Sequence, residues 1–182
     1  MTGRLSDAVA TVAAFVPADE EQRAARAEIL AFCATHPDAL HRTCLDGHLT
    51  ASCLVVDAPA ERAVVLFHRK LRLWLQPGGH VDGDADLARS ALREATEETG
   101  IAGLQLDPVP VDVDVHRVHP PGEQPHLHHD VRYLVTAPPG AVLRANHESD
   151  ALEWWGRERL AGPEVDASFR RLARLGFARA RP

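Results

Sequence analysis

Cysteine is scarce in this chain: Cys33, Cys44 and Cys53 are an odd set among 182 residues, with no CxxC spacing. That pattern reads as free thiols in a reducing compartment and argues against a structural zinc site built on cysteine. An excess of positive charge is also lacking. The formal net charge is -6 with histidine neutral, so there is no general basic field for gripping a nucleic-acid polymer. A small phosphate-bearing substrate remains admissible, because a bound metal supplies positive charge locally. No apolar run approaches transmembrane length, so no membrane partner is expected. The N-terminus lacks the basic start and continuous apolar stretch of a signal peptide, and a cytoplasmic location is the expectation. With no P-loop pattern, a kinase or ordinary NTPase is unsupported. No repeat or low-complexity linker interrupts the chain.

What is present is the composition of a folded protein, 45% hydrophobic and long enough for one domain with a genuine core. Residues 3–45 are Ala-rich and read as two helices, from Leu5 to Phe15 and from Asp19 to Ala34. In the second, Ile29, Leu30 and Phe32 fall on or near the buried side, and Arg23, Arg26 and Glu28 towards water. From His48 the texture changes. HLTASCLVVD and RAVVLFHRK read as two strands, and LRLWLQP as a third short one with Leu71, Leu73 and Leu75 on one face. The loop GGHVDGD leads into a helix over 86–99, closed by Gly100 as a C-terminal cap. PVDVDVHRV alternates strictly, HPPGEQPH is a loop, and HHDVRYLVTA and ALEWW are further strands. Short helices follow over 157–160 and 167–175. Strands in the middle with flanking helices predict an α/β or α+β fold around a mixed sheet. The expected division is an N-terminal helical extension, 1–45, and a main domain, 46–182.

The sharpest chemical signal is REATEETGI, residues 93–101. On a helix, Glu94, Glu97 and Glu98 stand at i, i+3 and i+4 and share one face. An acidic helix by itself is more often a solvated face, with Arg93 and Glu97 as an i,i+4 pair. Three neighbouring carboxylates also suit a hard divalent cation, which takes oxygen ligands and keeps waters for substrate phosphates. The surroundings favour the second reading. GGHVDGDADLARSALREATEETGI, residues 78–101, resembles the Nudix box, whose pattern is Gx5Ex7REUxEExGU with U aliphatic. Gly79, Arg93, Glu94, Glu97, Glu98, Gly100 and Ile101 fall on its fixed positions, with the small apolar Ala95 at the first U. Ala85 departs: it stands where the box has its first Glu, which braces the box arginine. Asp84 or Asp86 is the expected substitute partner for Arg93.

The resemblance implies a Nudix-like mixed β-sheet sandwiched between helices. It further implies divalent-metal-dependent hydrolysis of a phosphoanhydride in a nucleoside diphosphate linked to another moiety. One to three magnesium or manganese ions would be held by Glu94, Glu97 and Glu98, with the Gly78 carbonyl as an added ligand. Glu97 or Glu98 would lie closest to the attacking water, and Arg93 would position the glutamates. A further carboxylate from a downstream loop is expected at Glu148, with Glu153 second. A small diphosphate is the implied partner, and a homodimer is left open because Nudix relatives are often dimers.

Eleven histidines are many for this length, and five lie between His116 and His129. If residues 126–133 form a strand, His126, His128, Asp130 and Arg132 share a face. Pairing with the preceding strand then adds Asp112, Asp114 and His116. Three readings of this His/Asp cluster stand open: a solvated edge hairpin, a substrate-pocket wall, and a second, softer metal site. The substrate-binding candidates are His80, beside Gly79 in the box loop, then His116, His126, His128, Arg132 and Trp74. Trp74 either stacks a base or is a packed aromatic. Trp154 and Trp155 read as structural, and His48 and Thr50 give no clear chemical signal.

Two rival functions come from other classes. An isoprenoid diphosphate isomerase of Nudix fold would use a cysteine, for which Cys53 is the candidate, but the isomerase pattern around it is missing. A non-catalytic ligand-binding module would be marked by an eroded box, and only Ala85 is eroded.

Overall fold

The computed structural model describes residues 3–120, 122–146 and 149–180. Its framework is one mixed sheet of eight strands among these residues. The strands are β1 (Gly47–Val56), β2 (Arg62–His68), β3 (Leu73–Leu75), β4 (Gly78–His80), β5 (Gln105–Leu106), β6 (Asp112–Val118), β7 (His126–Thr136) and β8 (Ser149–Gly156). The helices are α1 (Leu5–Ala14), α2 (Glu20–Thr35), α3 (Leu87–Thr99), α4 (Arg157–Leu160) and α5 (Ala167–Arg179).

The spine is a parallel pairing of β1 with β7, in register from Gly47 against Leu127 to Val56 against Thr136. All ten residues of β1 are buried, as expected for a parallel strand covered on both faces. On one face Leu49, Ala51, Cys53, Val131 and Tyr133 pack against Ala8, Val12 and Ile29 of the first two helices and Leu87, Ala91 and Ala95 of α3. On the other, Leu54, Val56 and Leu134 form a second core with Trp155, Phe169, Leu172 and Phe177. That second core covers only part of its face. Towards the other end of the strands the same face carries His48, Thr50, Ser52, His126, His128, Asp130 and Arg132.

Most elements lie where the sequence puts them, and the C-terminal cap of α3 is the predicted one. Asp19 accepts from the amide of Gln22, Asp86 from that of Arg89, and Gly100 closes α3 at φ 64°, a left-handed conformation that suits a residue without a Cβ. Beside the short strand β5, which the sequence does not announce, four details differ. The start of the expected box loop is strand β4, hydrogen-bonded to β1. On β3 the faces are reversed: Leu71 and Leu73 are exposed, and Trp74 turns in towards Trp155, since the indole buries more apolar area than a leucine on this edge strand. In α2 the buried side is Gln22, Ala25, Ile29 and Cys33, with Leu30 and Phe32 only partly covered. The last helix runs on to Arg179. Among the described residues no helix is long and apolar enough to cross a membrane.

Candidate active site and the histidine face

Helix α3 presents two faces to two tasks. Leu87, Ala91 and Ala95 are buried against the sheet, which fixes the helix on β1 and β4. Glu94, Glu97 and Glu98 then form a graded series. Glu98 is buried and accepts a 2.8 Å hydrogen bond from the amide of Gly78. Glu94 is partly covered, and its carboxylate lies where a side chain at Gly79 would begin: a Cβ there would sit 2.8 Å from the carboxyl carbon. At Gly78 the same construction meets Ser52 Cβ at 2.2 Å. The glycine pair is therefore what allows strand, helix and carboxylates to approach so closely. Glu97 remains exposed.

Arg93 gathers these groups. Its guanidinium lies 2.7 Å from Glu94 and 3.5 Å from Glu97, and it donates to the carbonyl of His80 at 2.9 Å. Neither aspartate expected to brace it is placed for that purpose. Asp84 forms a two-pronged pair with Arg89, and Asp86 caps the helix. Ala85 is buried, and a Cβ at Gly3 would come within 2.9 Å of its own Cβ. The N-terminal segment thus packs on the site of the missing box glutamate. Glu148 lies outside the described residues. Glu153, the second choice, accepts from the Trp155 indole at 2.7 Å and from Arg159 at 2.9 Å, which fixes it beside the second core.

The carboxylate set suits a hard divalent ion. Three oxygen-donor side chains stand together, two of them held against β4 by local structure, and hard cations are bound through such oxygens.

The polar face of the sheet divides into two parts. One is a buried ion network. Arg132, 2% exposed, donates to Asp130 at 2.8 Å, Asp112 at 3.3 Å and Asp114 at 3.0 Å. Arg171 on α5 completes it, pairing with Asp112 at 3.1 Å and Asp114 at 2.9 Å. Burial pushes Asp114 up, but its hydrogen bond with His116 and the charges of Arg132 and Arg171 outweigh that and hold it well below the carboxylate range. Thr50 and Ser52 donate to Asp130 at 3.0 and 2.6 Å. The aspartates of the expected His/Asp cluster are therefore committed to arginine, and Arg132, expected to contact substrate, is buried among them. A solvated hairpin face is overturned by the same observation: Asp112, Asp114, Asp130 and His126 are buried.

The other part is a group of imidazoles. His128 lies opposite His116 on β6 and beside His48 on β1. Ring centroids are 4.8 Å apart for His48 and His126, 5.2 Å for His126 and His128, and 5.1 Å for His48 and His128. His80 adds a fourth ring 4.8 Å from His48. Burial, reinforced by nearby positive groups, lowers His80 to about 4 and His128 to about 2, and lowers His48 as well. His48, His80 and His128 are thus neutral near pH 7. Sequence reasoning missed His48 and Arg171, because each arrives through a long-range contact that no local pattern encodes.

Trp74 does not join this face. Its ring packs tilted against Trp155 and Phe67, with centroids 4.7 and 5.0 Å away, and Arg159 lies 5.8 Å from it. Cys53, the candidate isomerase residue, is fully buried, and its thiol is pushed well above its ordinary range by burial and the nearby carboxylates.

A NUDIX domain model matches residues 46–175, most of the chain, and the protein belongs to that family. Fold and box together define its class, a Nudix-type pyrophosphohydrolase. Solved structures of similar fold include an Ap4A hydrolase from C. elegans, 21% identical with TM-score 0.58, covering 71% of this chain and 95% of that one. A NUDIX-family hydrolase from Clostridium perfringens is 21% identical at TM-score 0.58, covering 73% and 95%. The E. coli dihydroneopterin triphosphate pyrophosphohydrolase is 16% identical at TM-score 0.54, covering 72% and 95%. At these identities the likeness concerns the fold alone. No curated protein matches the sequence significantly. The helices α1 and α2 precede the matched region.

Proposed function

We propose that the chain hydrolyses a phosphoanhydride in a nucleoside diphosphate linked to another moiety, or in a similar small diphosphate, with magnesium or manganese on the α3 carboxylates. The observation that carries this reading is the anchoring of Glu94 and Glu98 against the Gly78–Gly79 backbone, with Glu97 beside them. Glu94, Glu97 and Glu98 are the ligand side chains, with the Gly78 carbonyl as an additional oxygen. An ion held there would supply positive charge to offset the negative charge that develops on the substrate phosphates.

The chain's own groups divide the remaining work. Glu98 is held by the Gly78 amide and serves to place the site rather than to exchange protons. Glu97, exposed and only 3.5 Å from Arg93, is the carboxylate free to take a proton from the attacking water. Arg93 keeps Glu94 and Glu97 aligned. Glu148, outside the described residues, is the expected further carboxylate. His80 and His116, at the accessible edge of the imidazole group, line the pocket wall towards the substrate. The buried thiol of Cys53 counts against the isomerase reading, and the intact glutamates count against a purely ligand-binding module.

The test is a panel of nucleoside triphosphates, diadenosine tetraphosphate, ADP-ribose, coenzyme A and non-nucleotide diphosphates, assayed with magnesium and with manganese. Glu97→Gln should abolish turnover of whichever compound is hydrolysed and leave the circular dichroism spectrum unchanged. Full turnover by that variant sinks the assignment.

A further inference from the structure

The imidazole group carries a second conclusion, independent of the hydrolase reading. His126 and His128 are two apart on β7 and so share a face, and the parallel register sets His48 beside them. Their metal-ligating atoms all lie within 4.8 Å of one another. Bonds of about 2.0–2.1 Å to a tetrahedral ion imply nitrogens roughly 3.3 Å apart. Small side-chain rotations close that difference.

The hydrogen bonding decides what the group can accept. Nδ1 of His126 lies 2.9 Å from the Gln124 carbonyl, and Nδ1 of His48 lies 3.4 Å from that of Cys44. A carbonyl can only accept, so in each ring Nδ1 carries the proton and Nε2 carries a lone pair. Those lone pairs are unanswered. Nε2 of His48, His126 and His128 is buried with no hydrogen-bond partner, and the His48 and His126 residues are 2% and 5% exposed. Buried polar atoms are rarely left in that state. A phosphate oxygen does not suit that gap, since it too is an acceptor. An electron-pair acceptor does. A ring held by a backbone carbonyl at one nitrogen and offering the other inward is the usual arrangement of a metal-ligating histidine.

We propose that Nε2 of His48, His126 and His128 bind one divalent transition ion of the zinc class on the polar face of the sheet. Imidazole donors favour zinc, cobalt or nickel over magnesium. The neighbouring aspartates, engaged by arginine, leave this an all-histidine site. Three protein ligands leave a fourth position for water or a substrate oxygen, towards the side where His80 and His116 stand.

The test uses the full chain, stripped with a chelator and titrated with zinc or cobalt in excess magnesium, added to compete for exposed carboxylates. One equivalent should bind, giving the visible bands of tetrahedral cobalt and a raised melting temperature with zinc. H48Q, H126Q and H128Q should each weaken binding at least 10-fold, and E97Q should leave it unchanged. If the variants fail to fold, side-chain nitrogen resonances of the unaltered protein serve instead: zinc should shift Nε2 of these three histidines. No stoichiometric binding, binding lost in E97Q but kept in the histidine variants, a thiolate-to-cobalt band, or zinc shifts at other histidines would each overturn the site.

Discussion

Arg171 closes on Asp112 from α5, with its Nη2 atom 3.1 Å from a carboxylate that is completely buried. The pair ties the last long helix to β6, and Arg132 reaches the same carboxylate from β7. Removing Arg171 leaves Asp112, Asp114 and Asp130 to Arg132 alone, and such a deficit of buried positive charge costs about 3–5 kcal/mol. Arg171→Ala should therefore lower the unfolding free energy by that amount in urea titrations. A loss of only a few tenths would mean that the pair is screened by water in solution.

Arg93 is expected to act on turnover more than on substrate affinity. It touches two glutamates and the His80 carbonyl, and a misplacement of about 1 Å in such a constellation can cost about 100-fold. Arg93→Ala should reduce kcat by roughly that factor with KM little changed. Equal kcat in the two proteins would remove Arg93 from the site's alignment.

Acid should weaken the fold through Asp114. Its folded-state value lies below the ordinary 3.8, so the carboxylate contributes stability that is complete above that value. The contribution fades as pH falls from about 4 towards the depressed folded value. Urea titrations at pH 6 and pH 3 should show a larger loss for the natural protein than for Asp114→Asn. Parallel losses in both would show that other groups carry the acid response.

Restoring the box glutamate should harm this chain. Ala85 is buried beneath the segment at Gly3, and a longer, charged side chain there meets packed atoms. Ala85→Glu should cost about 1–3 kcal/mol, read as a lower melting temperature, with no gain in hydrolysis.

Thiol reagents should find little to attack. Cys33, Cys44 and Cys53 are free and buried, and burial pushes Cys33 up to about 11. In the native protein alkylation of all three should be slow, and mass spectrometry after unfolding should show all three modified. Rapid labelling of Cys53 without unfolding would contradict its place in the core.

Much of this was legible in the residues, to the extent that the information was local. Asp86, the glutamate spacing and Gly100 define α3 through contacts spanning a turn or two, and the β6–β7 hairpin follows from strict alternation around a short loop. The metal-suited carboxylates could therefore be named in advance, and the polar hairpin face could be seen. Its meaning could not. Whether Asp112 and Asp114 face water, metal or arginine depends on Arg171 in a helix far along the chain. Whether the histidines make a site depends on His48, which joins them only through the parallel register of β1 and β7. Trp74 shows a different limit: three leucines outvote one indole in a pattern count, but the indole has more surface to bury.

The β1–β7 register also governs how the molecule comes together. It joins residues 80 apart, as in the hydrogen bond from Thr50 to Asp130, and no hairpin or helix can form it locally. The entropy of closing so long a loop must be met before the paired strands return anything. The three histidines, the aspartate held by Thr50 and Ser52, and both cores then appear together. An ion captured at His48, His126 and His128 would be a reporter of that late, cooperative event, silent in any fragment that ends before the seventh strand.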